Sequence, residues 1–556
     1  MIQKAARSSR RETFRVETIS FDKIPNQSKL FKDFQIDSKN LRGFYPAKEI
    51  PLVSYAEQVL SKYTIDRAAL CDILAETNES FGAGAKTFEN IELLREKDCT
   101  TIVTGQQAGL FSGALYTIYK ALSAVKLAEE FRAKNLKTVP VFWIAEEDHD
   151  FDEVKKTFNL NKEGKLIESI NTPANRPVNR PVGLIKFDET INETIKDLFA
   201  NLPHTEFTEE TKKLIVESYQ PGETFSKAFA RFIAELFADY GLIIVAPLNE
   251  KLKNLCAPIF DEAVEKSDVI VSALLERNRE LEKESYQPQV MVMDNSFPFF
   301  YQNETGERQS LRKNARNSKF AIQNSKNEYE KSELREIALN SPQNLSPNAL
   351  LRPVVQDYLL PTLVYFGGAA EIAYFAQNSA IYEVLNRPVT PIRLRASLTI
   401  VERKHDRTLE RYQLKFANLF DGKEKLSARI VEKFLNQSAA RTFAEVEEIV
   451  NAELDRLERE LQSVEPTLAA NLSNRRRKIL WHLGALRKKY HRAEMLKNET
   501  VQRRIENLFA AILPHNALQE RTLNVTSFLN RFGENFINWI YETIETDERN
   551  HQILYL

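Results

Sequence analysis

Seven consecutive residues, Glu146-Glu147-Asp148-His149-Asp150-Phe151-Asp152, place five carboxylates around one imidazole. Asp148, His149 and Asp150 carry the oxygen and nitrogen donors that suit a divalent cation. The same residues suit acid/base chemistry or contact with a phosphate, because a carboxylate beside an imidazole orients the ring and fixes its tautomer. Spacing leaves both readings open. The other six histidines (His204, His405, His482, His491, His515 and His551) form no H-x-x-x-H pair and read as structural.

A second candidate lies upstream, in Thr104-Gly105-Gln106-Gln107-Ala108-Gly109. Its glycines allow close backbone approach to a phosphate or carboxylate, although the spacing is neither that of a Walker A loop nor G-x-G-x-x-G. A third is Gly367-Gly368-Ala369-Ala370-Glu371, where Glu371 falls in a first helical turn and is stabilised there by the helix dipole. Lys120, Arg352, Arg393 and Arg395 are cations available to phosphate or carboxylate ligands.

These residues need elements that bring them together. From Cys99 to Val154 the pattern is strand (CTTIV), loop (TGQQAGLFSG), helix (ALYTIYKALSAVKLAEEF) and strand (VPVFWIA), the last an apolar run of the kind buried on both faces of a parallel sheet. The same grammar returns in LLPTLVYF, a helix from about 369 to 385, and PVTPIRL. Two such units predict a doubly wound α/β core. Between them helices are expected over Phe225 to Tyr240 and Lys251 to Ser285, with strand-like GLIIVAP and VMVMD.

Beyond Ser397 the chain reads as mostly helical. Thr442 and Glu445 predict a capping box, followed by a stripe of Phe443, Val446, Val450, Leu454, Leu457, Leu461 and Val464. Pro466 is expected to interrupt that helix, and Ser473-Asn474 to restart a second one through Ile479, Leu483, Leu486, Tyr490, Ile505 and Leu508. The result is an antiparallel helical hairpin whose apolar stripe suits self-association.

With 556 residues the chain exceeds a single core, so two to four packed units are expected. Hydrophobic residues make up 43% and charged residues 28%, and the net charge of -1 gives no bulk pull on nucleic acid. Cys71, Cys99 and Cys256 stand apart without C-x-x-C spacing, which fits a reducing cytosol. The basic N-terminus lacks the apolar run of a signal peptide, no later segment has the length of a membrane helix, and the first dozen residues are expected to fray.

Several segments together resemble one family: TGQQAGLFSGALYTIYKALSAVKLA, VPVFWIAEEDHDFDEV, YQPQV, LRPVVQDYLLPTLVYFGGAAEIAYFAQ, LQERTLN and FLNRFG. They are similar to the cysteine ligases of bacillithiol biosynthesis, the BshC family. The resemblance implies a Rossmann-type core related to class I aminoacyl-tRNA synthetases, with connecting-peptide insertions and an α-helical coiled coil used for dimerisation. It implies a cytoplasmic enzyme joining cysteine to glucosaminyl malate, with ATP or ADP as the adenine nucleotide and no metal assigned. Laying SGALYTIYKA over the T-G-x-L-H-I-G-H-A pattern puts Tyr116 and Tyr119 where two histidines would stand, and a phenol only donates a hydrogen bond. Glu146 also stands where relatives tend to have glycine, which adds a carboxylate at the rim.

Within that frame Gln106, Gln107, Ser112, Tyr116, Tyr119 and Lys120 are expected at the substrate, Glu371 at an amine, and Asp148, His149 and Asp150 as the acid/base or ammonium-binding group. Arg393, Arg395, Ser397, Arg504 and Asn524 are the expected nucleotide contacts. The expected organisation is an N-terminal segment packing on the core (1–98), the first half of the core (99–224), sheet completion and insertion (225–350), the second half of the core (351–400), the coiled coil (401–515) and a segment returning to the core (516–556). Two other readings carry different chemistry: a metal-dependent hydrolase or transferase using the Glu-Asp-His-Asp rim, and a coiled-coil scaffold without catalysis.

Overall fold

The computed structural model describes residues 14–174, 178–314, 316–322 and 327–556, so the expected fraying of the first dozen residues lies outside the described residues. The described chain divides into two compact units. One holds residues 18–399 with 520–552; the other holds the described residues through Glu17, residues 400–519 and residues 553–556.

In the larger unit five strands form one parallel sheet. They are β1 (Thr100–Gln106), β2 (Thr138–Ile144), β3 (Ile243–Val245), β4 (Thr362–Gly367) and β5 (Ile392–Leu394), in the order β5-β4-β1-β2-β3. Each adjacent pair is parallel. Every residue of β2 and β4 is buried, which accounts for their unbroken apolar sequences. Helix α1 (Tyr116–Ala133) links β1 to β2, and helix α2 (Ala369–Val384) links β4 to β5. The chain works outward from β1 to β3 and then returns to the other side of β1 for β4. Strand order therefore reverses between β1 and β4, the crevice at which open α/β sheets bind ligands.

The middle region supplies β3, the helices Phe225–Leu236, Glu250–Glu265 and Ser267–Lys283, and a second sheet that the sequence pattern did not announce. That sheet is antiparallel, with strands Glu328–Tyr329, Phe320–Ile322, Arg308–Lys313, Phe299–Gln302 and Leu345–Pro347 side by side in that order. VMVMD corrects to loop: no strand covers 290–294. Its alternation of Val and Met borders a cavity instead of pairing with a neighbour.

In the smaller unit the helical hairpin is formed by α3 (Gln437–Val464) and α4 (Pro466–Lys497). Its ends differ from those expected. The cap of α3 is Asn436, whose side chain accepts from the Ala439 N–H at 3.1 Å, so Thr442 lies inside the helix. Pro466 opens α4 at its first position, where a missing N–H costs nothing, so no restart at Ser473 is needed. The arms are tied by Arg476, which donates to Asn451 Oδ1 at 3.1 Å and pairs with Asp455, and by Phe443 against Tyr490 at 5.5 Å. Even so, no residue of α3 is buried. Val446, Leu457 and Val464 of the expected stripe remain 37%, 45% and 77% exposed.

Candidate active site

Because β1 and β2 pair from Thr100/Thr138 to Gln106/Ile144, the residues that follow each strand emerge together at the carboxyl edge. Gly105 makes this close approach possible: a Cβ there would sit 2.6 Å from the Trp143 carbonyl oxygen. Gln107 Nε2 then donates to Asp148 Oδ2 at 2.8 Å, joining two of the expected segments. The other Asp148 oxygen accepts from the N–H groups of His149 (2.7 Å) and Asp150 (3.3 Å), and Asp150 Oδ1 accepts from Glu153 N at 3.3 Å. Both aspartates thus shape the loop, and the imidazole is left facing the cavity.

What meets that imidazole comes from the second sheet. Arg308 Nη1 donates to His149 Nδ1 at 3.2 Å, while its other nitrogens donate to Ser346 Oγ at 3.0 Å and Pro347 O at 3.2 Å. Its guanidinium lies 3.8 Å above the Phe300 ring. A guanidinium can only donate, so this geometry assigns the acceptor role to Nδ1 and the proton to Nε2. His149 therefore presents an N–H toward a ligand. Among the described residues no group of three or more His, Cys, Asp or Glu side chains is placed to hold a metal ion.

The cavity beside His149 has a volume of about 360 Å³. Trp143, Leu274 and Phe299 give it an apolar part, Arg308, Arg312 and Arg352 bring three positive charges to its lining, and Glu147 and Asp148 bring two negative ones. The rim is narrower than expected from the sequence. Glu147 is buried and paired with Lys253 at 2.7 Å. Glu146 points inward too, accepting from Leu248 N at 2.7 Å and from the Ser226 hydroxyl, and burial pushes its carboxyl up to about 7. It is therefore no rim carboxylate.

At the reversal between β1 and β4 stands a closed polar chain. Lys120 Nζ donates to Gly105 O and Gln106 Oε1, both at 2.8 Å, and pairs with Glu371 at 2.5 Å. Glu371 also accepts from Tyr365 Oη at 2.7 Å and Gly368 N at 2.8 Å. Burial opposes its charge, but Lys120 and these donors outweigh it and hold the carboxyl below the usual range. Gln106 Nε2 reaches the Tyr116 hydroxyl at 3.2 Å. Glu371, expected to hold a substrate amine, is instead engaged by three groups of the protein.

Ser112 and Tyr119 are fully buried, and neither reaches the His149 cavity. Ser112 belongs to a tight corner in which Phe111, Ser112 and Gly113 all have positive φ (52°, 77° and 71°). Asn524, expected at a nucleotide, secures this corner by donating to Phe111 O at 2.7 Å and Gly113 O at 2.5 Å. Two other expected nucleotide contacts are likewise framework: Arg395 pairs with Glu520 at 2.8 Å, and Ser397 Oγ donates to the same carboxylate oxygen at 2.8 Å. Arg393 is paired with Asp547 at 2.9 Å. Arg504 lies on the helix Glu499–Ile512 of the smaller unit.

Models of two domains match the chain from residue 14 onward. Residues 14–396 match the N-terminal Rossmann-like domain of BshC of bacillithiol biosynthesis, and residues 398–556 match its C-terminal coiled-coil domain. The chain belongs to the BshC family of bacillithiol biosynthesis. Relatives named "Putative cysteine ligase BshC" include one from Koribacter versatilis, 33% identical over 95% of this chain and 98% of its own. A second, from Solibacter usitatus, is 34% identical over 96% and 98%. The one from Bacillus cereus is 29% identical over 87% of this chain and 89% of its own. A solved structure from Campylobacter jejuni, titled a putative arginyl-tRNA synthetase, aligns with 85% of the chain and 98% of its own at 9% identity and a TM-score of 0.22, too slight a likeness to add to the fold.

Of the residues now seen at the BshC cavity, Arg308 had no signal in the sequence, since RQSLRK reads as an ordinary charged strand.

Proposed function

We propose that this BshC chain joins L-cysteine to glucosaminyl malate and so forms bacillithiol, with the cysteine carboxyl activated at the expense of ATP. The observation that carries the reading is the His149–Arg308 pair on the wall of a 360 Å³ cavity, at the carboxyl edge of the sheet, in a chain matched by both BshC domains. Uniting a carboxylate with an amine is unfavourable in water, so an acyl-adenylate or acyl-phosphate supplies the driving force. The cationic wall suits the two carboxylates of the malyl group or a phosphate, and the Nε2–H of His149 is a donor for the same charge. Of the residues expected at the nucleotide, Arg395, Ser397 and Asn524 are buried and bonded within the protein, so they do not form a ready phosphate site and no step is assigned to them. No helix among the described residues is long and apolar enough to cross a membrane, and we place the reaction in the cytoplasm.

The test is direct. Pure protein incubated with L-cysteine, glucosaminyl malate and ATP should yield bacillithiol, detected by mass spectrometry, together with ADP or AMP. Product formed at the same rate without the protein, or none with it, overturns the reading.

Homodimerisation through the hairpin belongs to the same proposal. Besides the exposed stripe of α3, helix α4 leaves Ile479, Trp481 and Leu486 40%, 68% and 56% exposed, more apolar surface than an isolated pair of arms normally shows to water. Sedimentation at micromolar concentration should report a dimer. Replacing Trp481 and Leu486 by lysine should give monomers, and a dimer indifferent to that change would sink the assignment.

A further inference from the structure

Lys253 is 3% exposed and is not part of the His149 cavity wall. It is the fourth residue of the helix Glu250–Glu265, where the positive end of the helix dipole disfavours a cation. Burial opposes the same charge, and a well-packed apolar side chain commonly serves stability as well as a buried ion pair does. Neither the helix nor the core therefore calls for a lysine at this position. Its contacts explain it.

The ammonium reaches two segments that are far apart in sequence. On one side it pairs with Glu147 at 2.7 Å, two residues before His149. Leu248 N, just ahead of the same helix, holds the adjacent Glu146 at 2.7 Å. On the other side Lys253 Nζ donates to Leu345 O at 2.9 Å. Leu345 opens the strand Leu345–Pro347, whose next two residues supply the Ser346 Oγ and Pro347 O acceptors of Arg308. In that strand Ser346 stands opposite Phe300, the ring beneath the guanidinium. One buried group thus ties the loop that carries the imidazole to the strand that anchors the arginine.

The spacing between loop and strand matters because His149 and Arg308 share a single contact. Arg308 Nη1 meets His149 Nδ1 at 3.2 Å, and the nearest Asp148 oxygen is 3.7 Å from the same nitrogen. A drift of about 0.5 Å between the two segments would carry that contact beyond hydrogen-bonding distance, and a neutral ring could then hold its proton on either nitrogen.

We infer that Lys253 is the positioning residue of the His149–Arg308 pair: its ammonium, bonded to Glu147 and to Leu345 O, fixes the two segments at the separation that keeps the imidazole proton on Nε2, facing the cavity. The inference rests on the proposed function only for its effect on turnover.

The experiment reads the imidazole nitrogens by NMR in intact protein carrying nitrogen-labelled histidine, with the His149 signals identified by their loss in His149→Ala. At a pH where the ring is neutral, the natural protein should show the Nε2–H form. Lys253→Met should show a mixture of both tautomers, as should Arg308→Gln. Because Lys253→Met leaves Glu147 buried without a counter-charge, a second variant combines it with Glu147→Gln, which removes both charges and should give the same mixture in a folded protein. Glu147→Gln alone, whose amide oxygen still accepts from the ammonium, should keep the Nε2–H form. Relative to Glu147→Gln alone, bacillithiol formation should fall roughly 10²-fold in the combined variant, the scale of a misplacement of about an ångström. In a His149→Ala background the same step should cost at most about tenfold, because no ring remains to be positioned. The inference fails if the natural protein lacks the Nε2–H form, if a folded Lys253 variant keeps it, or if Glu147→Gln alone disturbs it as much. It fails too if the loss of activity is as large without the ring as with it, or if neither Lys253 variant folds, since the lysine is then structural. A tautomer that changes as expected in a protein that makes no bacillithiol would refute the ligase reading and leave the positioning role standing.

Discussion

Replacing His149 by alanine should leave the protein folded and lower bacillithiol formation by roughly 10²–10³-fold, the loss typical of one preorganised donor in an active site. The side chain is 38% exposed, so its packing is modest, and the change in stability should be about 1 kcal/mol or less. Arg308 keeps its bonds to Ser346 and Pro347 in the variant, so the cavity wall should persist. His149→Gln separates the roles an imidazole can play. Its amide places an N–H₂ near the Nε2 position, so activity should partly return if the ring donates to an anion. No recovery would mean that the ring transfers a proton, contrary to the tautomer set by Arg308. An unchanged rate in His149→Ala, or a variant that does not fold, would remove His149 from the site altogether.

The second large effect is on stability. Glu520 is 2% exposed and faces Arg395, itself 5% exposed, at 2.8 Å. Ser397 Oγ and Leu398 N complete its oxygens at 2.8 and 2.9 Å. Burial opposes its ionisation, but Arg395 and these donors hold its carboxyl below the ordinary range. Glu520→Ala would leave the guanidinium buried without a counter-charge, at a cost of about 3–5 kcal/mol. Asp547→Ala removes the partner of Arg393 in a pair whose acid is 88% exposed, where about 0–1 kcal/mol is the norm. Denaturation midpoints of the two variants should differ widely. Equal midpoints would show that the buried cluster contributes no more than a surface contact.

Much of the core was legible because its segments are long and their burial is two-sided. VPVFWIA and LLPTLVYF could hardly be anything but central strands, and the helices after TGQQAGLFSG and Gly367-Gly368 follow from the right-handed crossover that parallel strands require. The meeting of Gln107 with Asp148 was legible for the same reason. What failed was the environment of individual charges. Glu146 looks like a rim residue because it lies near Asp148, yet Ser226 and the Leu248 N–H, over 75 residues away in sequence, draw it inward, while Glu147 borders the cavity with its charge met by Lys253. Arg308 comes from a sheet of short strands with weak alternation, so neither its strand nor its approach to His149 could be read in advance. Arg395 and Asn524 look like ligand contacts by position, but their partners lie at sequence separations of 125 and 413.

The corner at Phe111–Gly113 has a consequence in time. Its three residues of positive φ are held by Asn524 and by the Leu115 N–H bonded to Leu523 O at 2.9 Å. A ribosome delivers the corner early and its clasp some four hundred residues later, after the whole of α3 and α4 has emerged. Domains generally fold in the order in which they are synthesised. Here the corner beside Gln106 and Gln107 awaits Leu523 and Asn524, so a polypeptide truncated before them should leave that corner unclasped. The corner is thereby tied to residues some four hundred positions downstream of it.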